Sequence, residues 1–251
     1  MRVAVAGGTG LVGTHVVHEL RQRGCTPVVL SRGSGVDLLT GSGLGQALTG
    51  VDATIDVSNV VTMRRAAAVR FFGTATDNLL DAGRAAGVGH HVVLSIVGID
   101  RVRFGYYDGK LRQEQLALAG PIPATVLRAT QFHEFAGQLL DRVPGPVAVL
   151  PRQRIRPVAA ADVAAELVRL VQGEPCGLAA ELAGPEEHQL VDLARRVVRV
   201  RGQRRPVVGV RLPGAGGRAM VSGGLLPAED ARHGATTFDD WLAGADRRPA
   251  R

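Results

Sequence analysis

The feature that most constrains this chain is its start. Arg2, Val3, Ala4, Val5 and Ala6 make a short β-prone run that leads straight into Gly7, Gly8, Thr9 and Gly10. Behind the glycines, Leu11, Val12, Val16, Val17 and Leu20 recur at helical spacing. Strand, glycine turn and helix, in that order, make a glycine pattern readable as a nucleotide site. Glycine permits the tight turn and lets backbone approach a diphosphate, whose charge then faces the positive end of the helix. The pattern Gly7-x-x-Gly10-x-x-Gly13 therefore predicts dinucleotide binding, with Gly7, Thr9, Gly10, Leu11, Val12 and Gly13 in contact.

The same alternation continues downstream. Pro27 to Leu30 reads as a second strand, Val36-Asp37-Leu38 as a short third and Val51 to Val57 as a fourth. A short helix is expected over Leu44 to Leu48 and a long one from Arg64 to Ala86, with Gly87 as its cap. His91 to Ser95 and Ala124 to Arg128 complete the strands, separated by a helix from Tyr106 to Ala119. Short apolar strands alternating with longer helical patterns imply an α/β fold, a Rossmann-type doubly wound parallel sheet. Beyond Thr130 the rhythm loosens. Helices are expected over Gln131 to Leu140, Ala159 to Val171, Leu190 to Val200 and around Trp241, with extended segments at Pro146 to Leu150 and Ala180 to Ala183. The glycine-rich run from Pro213 to Gly224 reads as a loop or flexible cover. The organisation expected is a Rossmann core over residues 1–130 and a smaller substrate lobe over 131–251 that returns at least one strand to the sheet.

Composition removes other classes. No apolar run approaches the ~20 residues that a membrane span needs, and the N-terminus lacks the regions of a signal peptide. Cys25 and Cys176 match no ligand spacing and read as free thiols in a reducing cytoplasm. The net charge of +7 is scattered, without basic runs interleaved with aromatics, so no nucleic-acid partner is expected. The end from Arg247 to Arg251 reads as a solvated tail. His90 and His91 point to opposite faces of a strand, which argues against a metal site. Monomer and homodimer are both open.

At the end of the second strand, Ser31 and Arg32 stand where NAD-preferring sites place a carboxylate for the ribose hydroxyl. A hydroxyl and a guanidinium suit a 2′-phosphate, so NADP(H) is expected over NAD(H). Asp37 and Leu38 belong beside the adenine, and Ser58 and Asn59 stand at another carboxyl strand edge. Thr130 leaves the last core strand where the nicotinamide belongs; Phe132 and His133 follow it as substrate contacts.

One compositional oddity points to chemistry. Of 30 basic residues, 29 are Arg, and the single Lys, Lys110, stands four residues after Tyr106, one of only two tyrosines. At i and i+4 on a helix the two side chains share a face. An ammonium 4–5 Å from a phenolate is worth about 3–4 kcal/mol at an effective dielectric near 20, enough to pull a tyrosine towards neutrality. Ser95 ends the preceding strand and is placed to orient a substrate oxygen. Asp108 and Glu114 read as solvated, although Glu114 at i+4 from Lys110 offers that lysine a partner. Gly109, inside the helix, costs about 1 kcal/mol relative to alanine.

Five stretches together resemble atypical short-chain dehydrogenases/reductases of the NmrA-like group. They are Gly7 to Gly13, Leu30-Ser31-Arg32, Leu94 to Gly98, Tyr106 to Lys110 and Leu127 to Phe132, and they cover roughly the first 135 residues. The resemblance implies a Rossmann fold, an NADP-type cofactor and a C-terminal substrate lobe. It implies an oxidoreductase moving a hydride between nicotinamide and a small carbonyl, alcohol or quinone-like substrate, with Ser95, Tyr106 and Lys110 catalytic. The group also contains non-catalytic NADP(H) sensors, and nucleotide-sugar epimerases and dehydratases use the same residues.

Overall fold

The structure is a computed structural model that describes residues 1–102 and 104–246, so the arginine-rich end from Arg247 lies outside the described residues. The first half alternates as the sequence predicts: β1 (Arg2–Ala6), α1 (Leu11–Gln22), β2 (Thr26–Leu30), α2 (Leu44–Ala47), β3 (Ala53–Asp56), α3 (Arg65–Ala86), β4 (His90–Ile96), α4 (Gly105–Ala119) and β5 (Ala124–Ala129). The second half holds α5 (Phe135–Arg142), β6 (Ala148–Pro151), β7 (Arg154–Ile155), α6 (Ala160–Val171), β8 (Gly177–Leu178), β9 (Leu182–Ala183), β10 (His188–Gln189) and α7 (Leu190–Val200). It ends with β11 (Val207–Val210), α8 (Gly214–Val221), β12 (Arg232–His233) and α9 (Phe238–Asp246).

The main sheet runs in the order β12-β9-β5-β4-β3-β1-β2, with β8 also on β5, and its strand pairs are parallel. Helices cover both faces: α1 and α6 pack on a core with Val3, Val5, Ile55, Val92 and Leu127, while Leu79 and Leu80 of α3 pack on Ala4, Ala6 and Leu30. This is the doubly wound α/β fold. The second half adds β8, β9 and β12 to the sheet and builds a separate core, in which Leu140, Leu150, Leu190, Val197 and Phe238 meet.

Two expected elements differ. Val36-Asp37-Leu38 is not a strand; a 3-10 turn at Arg32–Ser34 leads instead into a loop closed by glycines. Gly43 has φ +75° and lies so close to Gly35 that a Cβ on it would meet the Gly35 carbonyl oxygen at 2.3 Å. Asn78 on α3 donates to the carbonyls of Leu38 and Leu39 and holds the loop down. β2 is therefore an edge strand, which is why it tolerates Pro27, a residue that cannot donate to a ladder.

The run from Pro213 to Gly224, expected as a loop, contains the helix α8. Tertiary packing overrides its glycine content. Met220 joins Val102 and Leu225 in a small core, and a Cβ on Gly217 would lie 2.0 Å from the Leu212 carbonyl oxygen. The helix thereby rests on the loop between β4 and α4.

Candidate functional site

At the glycine turn each glycine has a different duty. Gly7 has φ +78°, and a Cβ there would press on the Val57 oxygen at 2.8 Å and the Ser58 Cα at 2.9 Å. A Cβ on Gly13 would lie 2.1 Å from the Gly7 oxygen, so Gly13 lets α1 sit directly on the turn. Gly10 is exposed and its virtual Cβ meets only the Gly7 oxygen, at 3.3 Å, leaving an open approach from solvent. Thr14 N is the first donor of α1, to the Gly10 carbonyl, so the N–H groups of Leu11, Val12 and Gly13 precede the helical ladder. No side chain caps this end and no acid lies in its first turn. An uncapped, acid-free helix start under an open glycine is a cradle that fits a diphosphate.

The next sites follow along the carboxyl edge. Ser31 and Ser34 cap the 3-10 turn reciprocally, so the Ser31 hydroxyl serves the turn. Arg32 is exposed, with no ion pair to another described residue. Asp37 accepts from Leu39 N at 2.8 Å and shapes the loop that carries Leu38. At the end of β3, the Ser58 hydroxyl is buried without a partner, and Asn59 accepts from the Tyr106 phenol at 2.7 Å. Ser95, at the end of β4, is 2 % exposed, and its hydroxyl is also buried without a partner.

The tyrosine–lysine pairing expected from the spacing does not form. Tyr106 turns to Asn59, and its ring stands edge-on to Phe72 with centroids 5.7 Å apart. Lys110 turns inward: its Nζ donates to the Leu94 carbonyl at 2.6 Å and to Gln113 Oε1, and lies 4.8 Å from the centre of the same Phe72 ring. Burial, then the neighbouring Tyr107, raise the Tyr106 phenol well above its ordinary value, and no lowering by Lys110 accompanies them. Burial likewise pushes Tyr107 up to about 12. At neutral pH Tyr106 is a protonated hydrogen-bond donor.

Glu114, expected in solvent, is buried and grips Arg128 in a forked pair at 2.9 and 2.7 Å; Arg128 also reaches Asp100. Glu114 therefore does not hydrogen-bond Lys110. Asp108 pairs with Arg65. Gly109 is the cost of close approach: a Cβ on it would sit 2.7 Å from the backbone of Ala68, where α4 crosses α3.

Thr130 is buried and donates to the Arg156 carbonyl. Phe132 bridges to Val158 and packs on the main core. His133 faces away from an open site, because its Nε2 meets the Thr236 carbonyl at 3.1 Å and its ring packs on Phe238 and Trp241. The residues that sequence reasoning missed are Asp56 and Gln113. Asp56 has no exposed surface, accepts from Ser58 N and takes a hydrogen bond from Gln113 Nε2 at 2.8 Å. Their signal was weak: an acid among apolar residues in β3, and a glutamine at i+3 from the lone lysine. Among the described residues no group of three or more His, Cys, Asp or Glu could hold a metal ion, and no helix is long and apolar enough to cross a membrane.

No family model matches the chain. A search of curated proteins by sequence also found no match. Solved structures do match. A short-chain dehydrogenase/reductase superfamily protein from Agrobacterium tumefaciens with bound NAD is 21% identical, with TM-score 0.71 over 98% of this chain and 96% of that one. An NADPH-dependent quinone oxidoreductase from Escherichia coli, complexed with NADPH, is 21% identical with TM-score 0.73 over 97% and 99%. A UDP-N-acetylglucosamine 4-epimerase from Bacillus cereus is 15% identical with TM-score 0.69 over 98% and 98%. The chain has the Rossmann-type fold of these structures. The likeness spans the whole chain, including the second half that carries no motif of its own.

Proposed function

We propose that this protein is an NADP(H)-dependent oxidoreductase of the atypical short-chain dehydrogenase/reductase kind, acting on a small carbonyl, alcohol or quinone-like substrate. One observation carries the reading: Gly7 lies against Val57 and Ser58, and the next residue, Asn59, holds the Tyr106 phenol. A diphosphate cradle and a proton-bearing group are thus joined by three consecutive residues. The structural neighbours that bind NAD or NADPH support the cofactor class.

The glycine turn and the start of α1 would hold the diphosphate, Arg32 the 2′-phosphate, and Ser58, Lys110 and Thr130 would line the path to the nicotinamide. When bound, the cofactor supplies or accepts the hydride. Tyr106, kept protonated by burial, gives its proton to the substrate oxygen, exchanging Asn59 for that oxygen as hydrogen-bond partner. Ser95, whose buried hydroxyl lacks a partner, orients the same oxygen. Carbonyl reduction needs the protonated form of this tyrosine, and the upward shift makes its phenol a weaker acid than a free one.

The test is NADPH oxidation with 1,4-benzoquinone and a panel of small aldehydes. Tyr106→Phe should lower kcat about a hundredfold while the NADPH dissociation constant, measured by calorimetry, stays unchanged. A variant that turns over as fast as the parent would overturn the assignment. That Tyr106 and Lys110 pair with other groups and not with each other favours a second reading, a non-catalytic NADP(H) sensor. That reading expects tight NADPH binding with no turnover by the parent across the same panel.

A further inference from the structure

The chain's only lysine is buried, and what meets it is not the tyrosine. We propose that Asp56 and Gln113 form a positioning relay that keeps Lys110 charged and fixed beneath the carboxyl edge of the sheet. The purpose of the held ammonium rests on the cofactor reading above; the relay itself does not.

Hydrogen-bond chemistry allows one arrangement. A carboxylate only accepts and an ammonium only donates, so an amide between them must turn its NH2 to the first and its oxygen to the second. Gln113 does this: Nε2 donates to Asp56 Oδ2 at 2.8 Å, and Oε1 accepts from Lys110 Nζ. Flipping the amide would set NH2 against ammonium and oxygen against carboxylate. Asp56 is fixed in turn by Ser58 N on its other oxygen, at 2.8 Å. Gln113 has no exposed surface, and Lys110 is 5 % exposed.

Charge accounting points the same way. The groups that face Lys110 are Asp56 from β3, Gln113 and Glu114 from α4, the Phe72 ring from α3, and the Leu94 carbonyl from β4. Arg128 on β5 takes both oxygens of Glu114, so Asp56 is the carboxylate left to balance Lys110. Burial lowers the Lys110 ammonium, Asp56 and then Glu114 oppose it, and the balance stands at about 8. An ammonium has three N–H bonds, and two are used by Leu94 and Gln113. On the cofactor reading, the third serves the bound ligand. A compact ammonium makes this set of contacts where a planar guanidinium has a different fork to satisfy, which explains a lysine in a chain that otherwise uses arginine.

Because Lys110 is the only lysine, uniform 13C-lysine labelling of the whole protein gives a single side-chain Cε signal to follow against pH. Gln113→Leu and the near-isosteric Asp56→Asn should each move its midpoint down by about one pH unit, a tenfold change in the ionisation constant. Asp56→Asn keeps the volume of the site, so it decides the matter if Gln113→Leu unfolds. A midpoint that stays put in folded Asp56→Asn protein overturns the relay. The same samples titrated with NADPH test the separate point: affinity should fall above the Lys110 midpoint, and at lower pH in the variants. If the Cε midpoint moves and NADPH affinity ignores it, the relay stands and the cofactor role of Lys110 fails.

Discussion

The glycine turn and helix α4 stand at the same edge of the sheet and are specified by opposite means. The turn is made of backbone: positive φ at Gly7 and missing Cβ atoms at Gly7 and Gly13 define it, with no long side chain involved. In α4 the helix is ordinary, and its chemistry depends on which side chains from other elements reach it. Asp56 and Asn59 at the end of β3, Leu94 on β4 and Arg128 on β5 decide where Gln113, Tyr106, Lys110 and Glu114 point. A local backbone device survives translation from sequence. A side-chain constellation is re-sorted by partners that spacing does not reveal.

The sharpest way to break that contrast is a single methyl group. Gly13→Ala would set a Cβ 2.1 Å from the Gly7 oxygen, so α1 must move off the turn. A loss of about 3 kcal/mol or more is expected, read as a large drop in thermal midpoint with no NADPH binding. Gly10→Ala is the control: its Cβ would meet only the Gly7 oxygen, at 3.3 Å, a tight contact that a small shift relieves, and the fold should persist. Equal effects of the two would mean that the turn is not read by backbone approach.

The same contrast explains what was legible. The first-half strands and helices followed from apolar periodicity and caps, as at Gly87, which has φ +78° at the end of α3. Val36-Asp37-Leu38 misleads because Val36 and Leu38 alternate about Asp37 in a strand pattern while flanking glycines close a loop. Helix α8 was hidden by its glycines, whose purpose is a close approach visible only in three dimensions. In the site, the sequence singles out the lone lysine, but Tyr106, four residues before it, loses to Gln113, three residues after it, whose amide Asp56 orients.

The next effects belong to α4 and the strand beneath it. Glu114→Leu leaves Arg128, itself largely buried, with only the exposed Asp100. Breaking a buried forked pair should cost about 3–5 kcal/mol, measured as a lower midpoint in urea, where Asp108→Ala on the exposed face should cost under about 1 kcal/mol. His91 on β4 stands beside Thr54 of β3, its Nδ1 on the Thr54 hydroxyl at 2.7 Å, and burial, with Asp56 opposing and His90 adding, lowers it to about 4. The unfolded chain binds this proton near 6.5 and the folded chain near 4, so stability falls as pH drops through that window, by about 3 kcal/mol. In His91→Gln the fall between pH 6.5 and 4 should flatten by that amount. An unchanged acid slope would place the sensitivity elsewhere.

The smallest expected effect tests whether the turn's neighbour chooses the cofactor. Arg32 opens a 3-10 turn whose two serines cap each other, and no carboxylate stands beside it in Ser31-Arg32-Gly33-Ser34. The nearby Asp37 is engaged by Leu39 N, which leaves the guanidinium as the group offered to a ligand at this edge. A charge-assisted contact at an exposed position is worth about 1–1.5 kcal/mol. Arg32→Ser should thus weaken NADPH about tenfold and leave NADH unchanged, and the parent's preference should shrink as salt is raised. Tighter NADH binding by the parent would remove Arg32 from the site while leaving the backbone cradle as it is, since a diphosphate is common to both cofactors.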